Sequence, residues 1–158
     1  MRKILPDGLL TDPLLAGIAR VYHSKGKVVT TPSGAKAVIC SAGEIDPTHY
    51  IDSKTGSVIL YNHLTLASAE DSSNAPVDES LELKRSAIQS VLDSYVKQKY
   101  PSEDSAAGVF SKDGNINIII VGEKKNLRNF WSGRWSSNWT VTVSASSGSI
   151  TGDVKVTT

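Results

Sequence analysis

The run NFWSGRWSSNWTVTV, residues 129–143, decides the fold. Trp131, Trp135 and Trp139 stand four apart, which suits one face of a helix or alternate inward positions of a strand. The residues between them separate the two. Trp131, Gly133, Trp135, Ser137, Trp139, Val141 and Val143 occupy one register. Ser132, Arg134, Ser136, Asn138, Thr140 and Thr142 fill the other. A period of two sustained this far predicts a strand with one buried face. Gly133 would weaken a helix and in a strand often marks a bulge or a close approach. The stripe reads as β.

Downstream, Ser146-Ser147-Gly148 turns the chain into a further strand over Ile150 to Val156, with Ile150, Gly152, Val154 and Val156 in one register. Upstream, strands over Ala107–Phe110 and Ile116–Val121 bracket Lys112-Asp113-Gly114-Asn115, and Asp-Gly is a strong hairpin signal. A long helix precedes this meander, drawn from Glu79 to Tyr100 with Asp78 as its cap and Pro101 as its stop. Leu81, Ile88, Val91, Leu92 and Tyr95 are expected to share its apolar face. Such a helix should lie across the sheet that follows it.

Further upstream the elements are smaller. Strands over Val28–Thr31 and Ala37–Cys40 flank Pro32-Ser33-Gly34, and Tyr50-Ile51 and Val58–Tyr61 flank a turn holding Gly56. Before them, Asp12 and Pro13 open a short helix with Leu14, Leu15, Ile18 and Tyr22 as its apolar stripe. Residues 67–80, ASAEDSSNAPVDES, are polar, small and interrupted by proline, which marks a solvated linker. The expected organisation is a helical segment over 1–26, a small β subdomain over 27–66, a linker over 67–78, and a helix plus antiparallel sheet over 79–158. The class is α+β: a small β subdomain followed by a long helix packed on an antiparallel β-meander.

Composition narrows function by exclusion. The 158 residues carry 17 Lys and Arg against 16 Asp and Glu, a formal charge of +1. That balance removes the electrostatic case for a nucleic-acid or membrane-surface partner. No window approaches a membrane-spanning apolar run, and the amino terminus lacks a signal-peptide core, so a soluble cytoplasmic protein is expected. One cysteine, Cys40, rules out an internal disulfide framework. His23, His49 and His63 show no metal-ligand spacing, and no serine elbow, P-loop or dinucleotide fingerprint occurs. Glu44 and Asp46 lie beside Pro47 and read as solvated turn chemistry. Lys124-Lys125-Asn126-Leu127-Arg128 reads as a solvated basic loop. No catalytic residue, cofactor or metal is expected, and the chain reads as no enzyme.

The tryptophan stripe admits two readings. As core or interface, it is large aromatic surface for the helix to pack on. As a recognition face, Trp131, Trp135 and Trp139 would stack sugars in a small carbohydrate- or ligand-binding module. Arg134 lies on the face opposite the indoles, against nucleic-acid stacking, which interleaves the two.

The segment Asn129 to Trp139 resembles the signature of the F-actin-capping protein alpha-subunit family, which reads NFW-N-GRW-R-S-x-W. Asn129, Phe130, Trp131, Gly133, Arg134, Trp135, Ser137 and Trp139 match it; Ser132 and Ser136 depart from the usual Asn and Arg. Gly43 to Asp52 is similar to a family stretch ending in an Asp-Pro turn, with Ser53 in place of that proline. Asn62-His63-Leu64 resembles its Asp-His-Leu. Tyr95-Val96-Lys97-Gln98-Lys99-Tyr100 resembles its Tyr-Val-Lys-x-x-Tyr.

The resemblance implies a binding protein without chemistry. Family alpha subunits pair with a beta subunit in a pseudo-symmetric heterodimer that shares one antiparallel sheet and blocks the barbed end of the actin filament. The signature residues Asn129, Phe130, Trp131, Gly133, Arg134, Trp135 and Trp139 would be structural or lie near the subunit contact. The expected location is the actin cytoskeleton. Against the family pattern, the helical stalk and the carboxy-terminal strand, long helix and basic tail are expected to be missing, so no actin-contacting residues are assigned. The Ile150–Val156 strand should then present an open edge, and the isolated chain should self-associate.

Overall fold

The computed structural model describes residues 11–75, 78–124, 133–143 and 147–157. Its elements run α1 (Asp12–His23), β1 (Lys25–Thr30), β2 (Lys36–Cys40), β3 (His49–Ile51), β4 (Ser57–Tyr61) and β5 (Ser68–Asn74). They continue through α2 (Glu79–Lys99), β6 (Ala106–Lys112), β7 (Asn115–Lys124), β8 (Gly133–Val143) and β9 (Gly148–Thr157). Strands β6-β7-β8-β9 form an antiparallel meander in chain order. The fold is α+β.

Turn chemistry sets the hairpins. Asp113 and Gly114 both take positive φ, 54° and 73°, the backbone a two-residue hairpin of matching twist needs. Gly34 and Gly56 supply the same freedom at the β1–β2 and β3–β4 turns. Helix α2 starts at Asp78, whose carboxylate accepts the Ser80 N–H at 3.1 Å. Lys97 and Lys99 close it, favourably placed against the helix dipole.

Alternation along β6 and β7 feeds two layers. Val109, Ile116, Ala107 and Ile120 point to one side, where they meet Leu81, Ile88, Leu92 and Val96 of α2. Ala106, Phe110, Ile119 and Val121 point to the other, against Val28, Val38 and Cys40 of the β1–β2 hairpin. The reverse side of that hairpin, Val29, Ala37 and Ile39, packs on Tyr50, Ile59 and Tyr61 of β3–β4. The core is therefore layered, with the hairpin at its centre.

Three local expectations are corrected. Residues 68–74 are a strand, β5, and not a linker. SAEDSSN lacks strand-forming residues, but the backbone of β4 offers an unpaired side, and Ile59↔Glu70 and Leu60↔Ala69 fill it. A polar edge strand also discourages pairing with other chains. Second, the face that α2 buries is rotated from the expected one. Leu81, Gln89 and Val96 are buried, whereas Val91 and Tyr95 are exposed. Arg85 and Gln89 take the inner positions because the β6 edge needs polar partners there. Third, the apolar stripe of α1 faces outward. Leu14, Ile18 and Tyr22 are exposed, and His23 is the residue the helix buries.

Candidate functional site

Strand β8 carries the signature stripe, and its register shows how the indoles are seated. Trp135 stands opposite Gly122 of β7, and Trp139 opposite Gly152 of β9. A side chain on either glycine would overlap the facing indole. Each ring therefore lies across its neighbouring strand, in a space left by the absence of a Cβ. Trp135 also meets Tyr100 at a ring separation of 5.0 Å and packs with Val96, Ala107 and Ile120. It fills the boundary between the part of the sheet that α2 covers and the part that it does not.

Beyond that boundary the sheet is open. Ile150, Val154 and Val156 share the indole face of β9 and are 68%, 57% and 67% exposed. Val91 and Tyr95 expose apolar area on the flank of α2. The Trp135 Nε1 and Ser137 Oγ atoms on this face are buried without a hydrogen-bond partner. Buried donors without acceptors are costly. Among the described residues β9 is also the outer strand of its sheet. Together these make an apolar surface beside a backbone edge that is outermost among the described residues, suited to protein association.

The opposite face is polar. Thr140 donates to Asn117 at 3.1 Å and Thr142 to Asn115 at 2.7 Å, cross-linking β8 to β7. Arg134 donates through Nη2 to the Gly26 carbonyl, tying β8 to the bulge where β1 begins. Arg134 thus lies opposite the indoles, as its register predicts. Gly133 opens β8 against Lys124. Asn129, Phe130 and Trp131 lie outside the described residues, as do residues 125–128 of the basic loop.

A polar cluster that sequence spacing did not signal sits under α1. His23 and His63, forty positions apart, face each other through their Nδ1 atoms at 2.9 Å, with their rings stacked. His63 Nε2 meets the Tyr50 hydroxyl at 2.9 Å, and Tyr50 reaches Glu44 at 3.4 Å. Glu44 pairs with Arg20 of α1. Burial holds both histidines below the ordinary imidazole range. Glu44 is thus built into an interface and is not the solvated turn residue expected. Asp46 does serve the turn, accepting the Thr48 and His49 N–H groups at 2.8 and 2.9 Å. Those donors, Thr48 first, outweigh desolvation and hold it down at about 2.

Among the described residues no three His, Cys, Asp or Glu side chains form a group able to hold a metal. Cys40 is fully buried, and burial pushes its thiol up to about 11, the behaviour of a small hydrophobe. No described helix is long and apolar enough to cross a membrane. As for sugar stacking, Trp135 is held between Tyr100 and β7, and Trp139 lies on Gly152 with its ring half-buried.

Comparison with known proteins agrees with the sequence resemblance. The family model described as F-actin capping protein alpha subunit matches residues 1–158. The F-actin-capping protein subunit alpha of Dictyostelium discoideum is 30% identical over 159 residues, covering 99% of this chain and 57% of that protein. The Neurospora crassa subunit is 30% identical over 129 residues, covering 81% of this chain and 46% of that protein. That of Gibberella zeae is 28% identical, covering 96% and 54%. The chain spans about half the length of the curated relatives it matches.

Proposed function

Because the chain belongs to the F-actin capping protein alpha-subunit family, we propose that it is the alpha half of a heterodimer that caps the barbed end of the actin filament. Its contribution is binding without chemistry, in partnership with a capping-protein beta subunit, within the actin cytoskeleton. The observation that carries this reading is the uncovered face of β8–β9. Ile150, Val154 and Val156 lie beside the seated indoles, next to a strand edge that no other strand pairs among the described residues. An apolar sheet face of this kind is stabilised by a second protein surface. The signature residues Trp135, Trp139 and Arg134 then act as the frame of the contact: Gly122 and Gly152 admit the two rings, and Arg134 fixes the strand from behind.

Co-expression with a capping-protein beta subunit, followed by size exclusion, tests the pairing. Co-elution is expected, and Val154→Asp should abolish it. Failure of the wild-type chain to co-elute would overturn the reading. Barbed-end elongation assays test the activity: the complex should slow subunit addition, and the chain alone should cap weakly or not at all. Potent substoichiometric capping by the chain alone would contradict a heterodimer-dependent function.

A further inference from the structure

The seating of α1 raises a physical question. Leu14, Ile18 and Tyr22 point outward and only Leu15, Ala16 and Ala19 are half-buried, so polar contacts, Arg20 to Glu44 and His23 to His63, take a large part in holding the helix to the β subdomain. Both imidazoles are more than nine-tenths buried, at 9% and 7% exposure. Two ring nitrogens 2.9 Å apart require a single hydrogen between them. One arrangement satisfies every group. His23 Nδ1–H donates to His63 Nδ1; His63 Nε2–H faces the Pro47 carbonyl at 3.2 Å and the Tyr50 oxygen; the Tyr50 hydroxyl donates to Glu44. Both rings are then neutral.

We propose that the His23–His63 contact is a proton-operated latch, which seats α1 on the β subdomain at neutral pH and releases it in mild acid. Proton counting gives the mechanism. The closed pair can absorb one added proton at His23 Nε2, which this arrangement leaves unprotonated, with the shared hydrogen kept between the Nδ1 atoms. A second would set two N–H groups against each other at 2.9 Å, and the contact must open. The surroundings also resist charge. Lys27 of β1 and Arg134 of β8 bear on His23, and Arg20 of α1 on His63. Glu44 is the carboxylate facing the cluster, and it is already paired with Arg20. Tyr22, Tyr50 and Tyr61 complete the ring wall at centroid distances between 4.9 and 5.9 Å.

The sign follows from burial. Both histidines titrate below their ordinary range in the closed state, so opening is accompanied by proton uptake. The latch is fully closed above the pKa of the open state, ~6.5. As pH falls below that value, each excluded proton favours opening about tenfold per pH unit, or roughly 30-fold at pH 5.

Amide hydrogen exchange on the full 158-residue chain, corrected for intrinsic rates, reads this directly. Protection of α1 amides should fall roughly 30-fold between pH 7.5 and 5, while β6–β7 amides change little. His63→Gln, which keeps a donor and an acceptor but does not titrate, should flatten that dependence to under about threefold. An unchanged pH dependence in this variant overturns the proposal, as does a wild-type α1 that stays protected at pH 5. Imidazole nitrogen shifts of the wild-type chain give a second measurement independent of variant folding. The proposal expects coupled Nδ1 resonances and proton uptake coincident with loss of α1 protection. Two independent titrations at the ordinary pKa, with α1 undisturbed, would refute it.

Discussion

Gln89 offers a sharp test of how the sheet is closed. Among the described residues strand β6 is an outer strand, so its outward backbone groups need partners once α2 buries them. Gln89 supplies two: its Oε1 accepts the Val109 N–H at 2.8 Å, and its Nε2 donates to the Ala107 carbonyl at 3.1 Å. Arg85 adds a donor to the Val109 carbonyl at 3.2 Å. The helix thus imitates a neighbouring strand. Gln89→Leu keeps the volume and removes both bonds. Each orphaned backbone group costs about 1–3 kcal/mol, partly offset by about 1–2 kcal/mol of added apolar burial. A net loss of about 2 kcal/mol is expected, a large fraction of a typical stability of about 5–15 kcal/mol. Urea unfolding should show the midpoint falling by about 1 M at unchanged slope. Gln89→Glu sharpens the test, because it keeps the acceptor for Val109 but turns a carboxylate on Ala107 O and Asp93. Its folded pKa is raised above the unfolded one, so its defect should be smaller at pH 4 and grow as pH rises. A Gln89→Leu midpoint within about 0.2 M of wild type would refute the claim that the edge depends on this amide.

Three further outcomes follow from single sites. Gly152→Val should displace the Trp139 ring, costing about 1–3 kcal/mol and altering near-ultraviolet circular dichroism. Thr151→Val, on the other face of β9, should stay within about 0.5 kcal/mol. The buried Cys40 thiol, pushed up to about 11, should resist thiol reagents at pH 8 until the chain unfolds; prompt labelling of the native chain would contradict the layered core. Asp46, held at about 2 against an ordinary 3.8, contributes stability that is fully present above the ordinary value and lost as pH falls towards 2. Its carboxyl shift should titrate near 2, and Asp46→Ala should remove that acid-dependent step; an ordinary midpoint would show that the turn bonds are absent.

What was legible in the sequence was local. Asp113-Gly114 fixes its hairpin through backbone angles that few other pairs adopt, and the two-residue period of 133–143 fixes β8. Asp78 and the closing lysines mark α2 for reasons contained within one or two turns. The failures share a cause, which is that the deciding partner lies far along the chain. Strand β5 exists because β4 has an unpaired side, a fact about residues 58–61 that SAEDSSN does not encode. The buried face of α2 is turned because β6 needs Gln89 and Arg85, so two polar residues displace Val91 and Tyr95 from the inside. His23 and His63 carry no mutual spacing signal across forty residues. The signature fared differently at its two ends: Arg134, Trp135 and Trp139 take the faces their register predicts, while Asn129, Phe130 and Trp131 lie outside the described residues.

The sheet is divided along β7 into a part closed within the chain and a part left open. Strands β6 and β7 are closed on both faces, by α2 and by the β1–β2 hairpin, through clusters containing Val109, Ile116, Phe110 and Val121. Strands β8 and β9 extend the hydrogen-bonded ladder outward, but β9 carries Ile150, Val154 and Val156 into the open. A residue such as Val109 therefore contributes to stability through burial already complete in the chain, and truncating it should unfold the protein before partnering can be asked about. Val154 makes little of its apolar contact within the chain, so a polar residue there should leave the fold intact and act on association. Trp135 belongs to both sets: it packs under Tyr100 on the closed side and borders the open face. Substituting it would confound the two effects, which makes β9 the correct place to separate them.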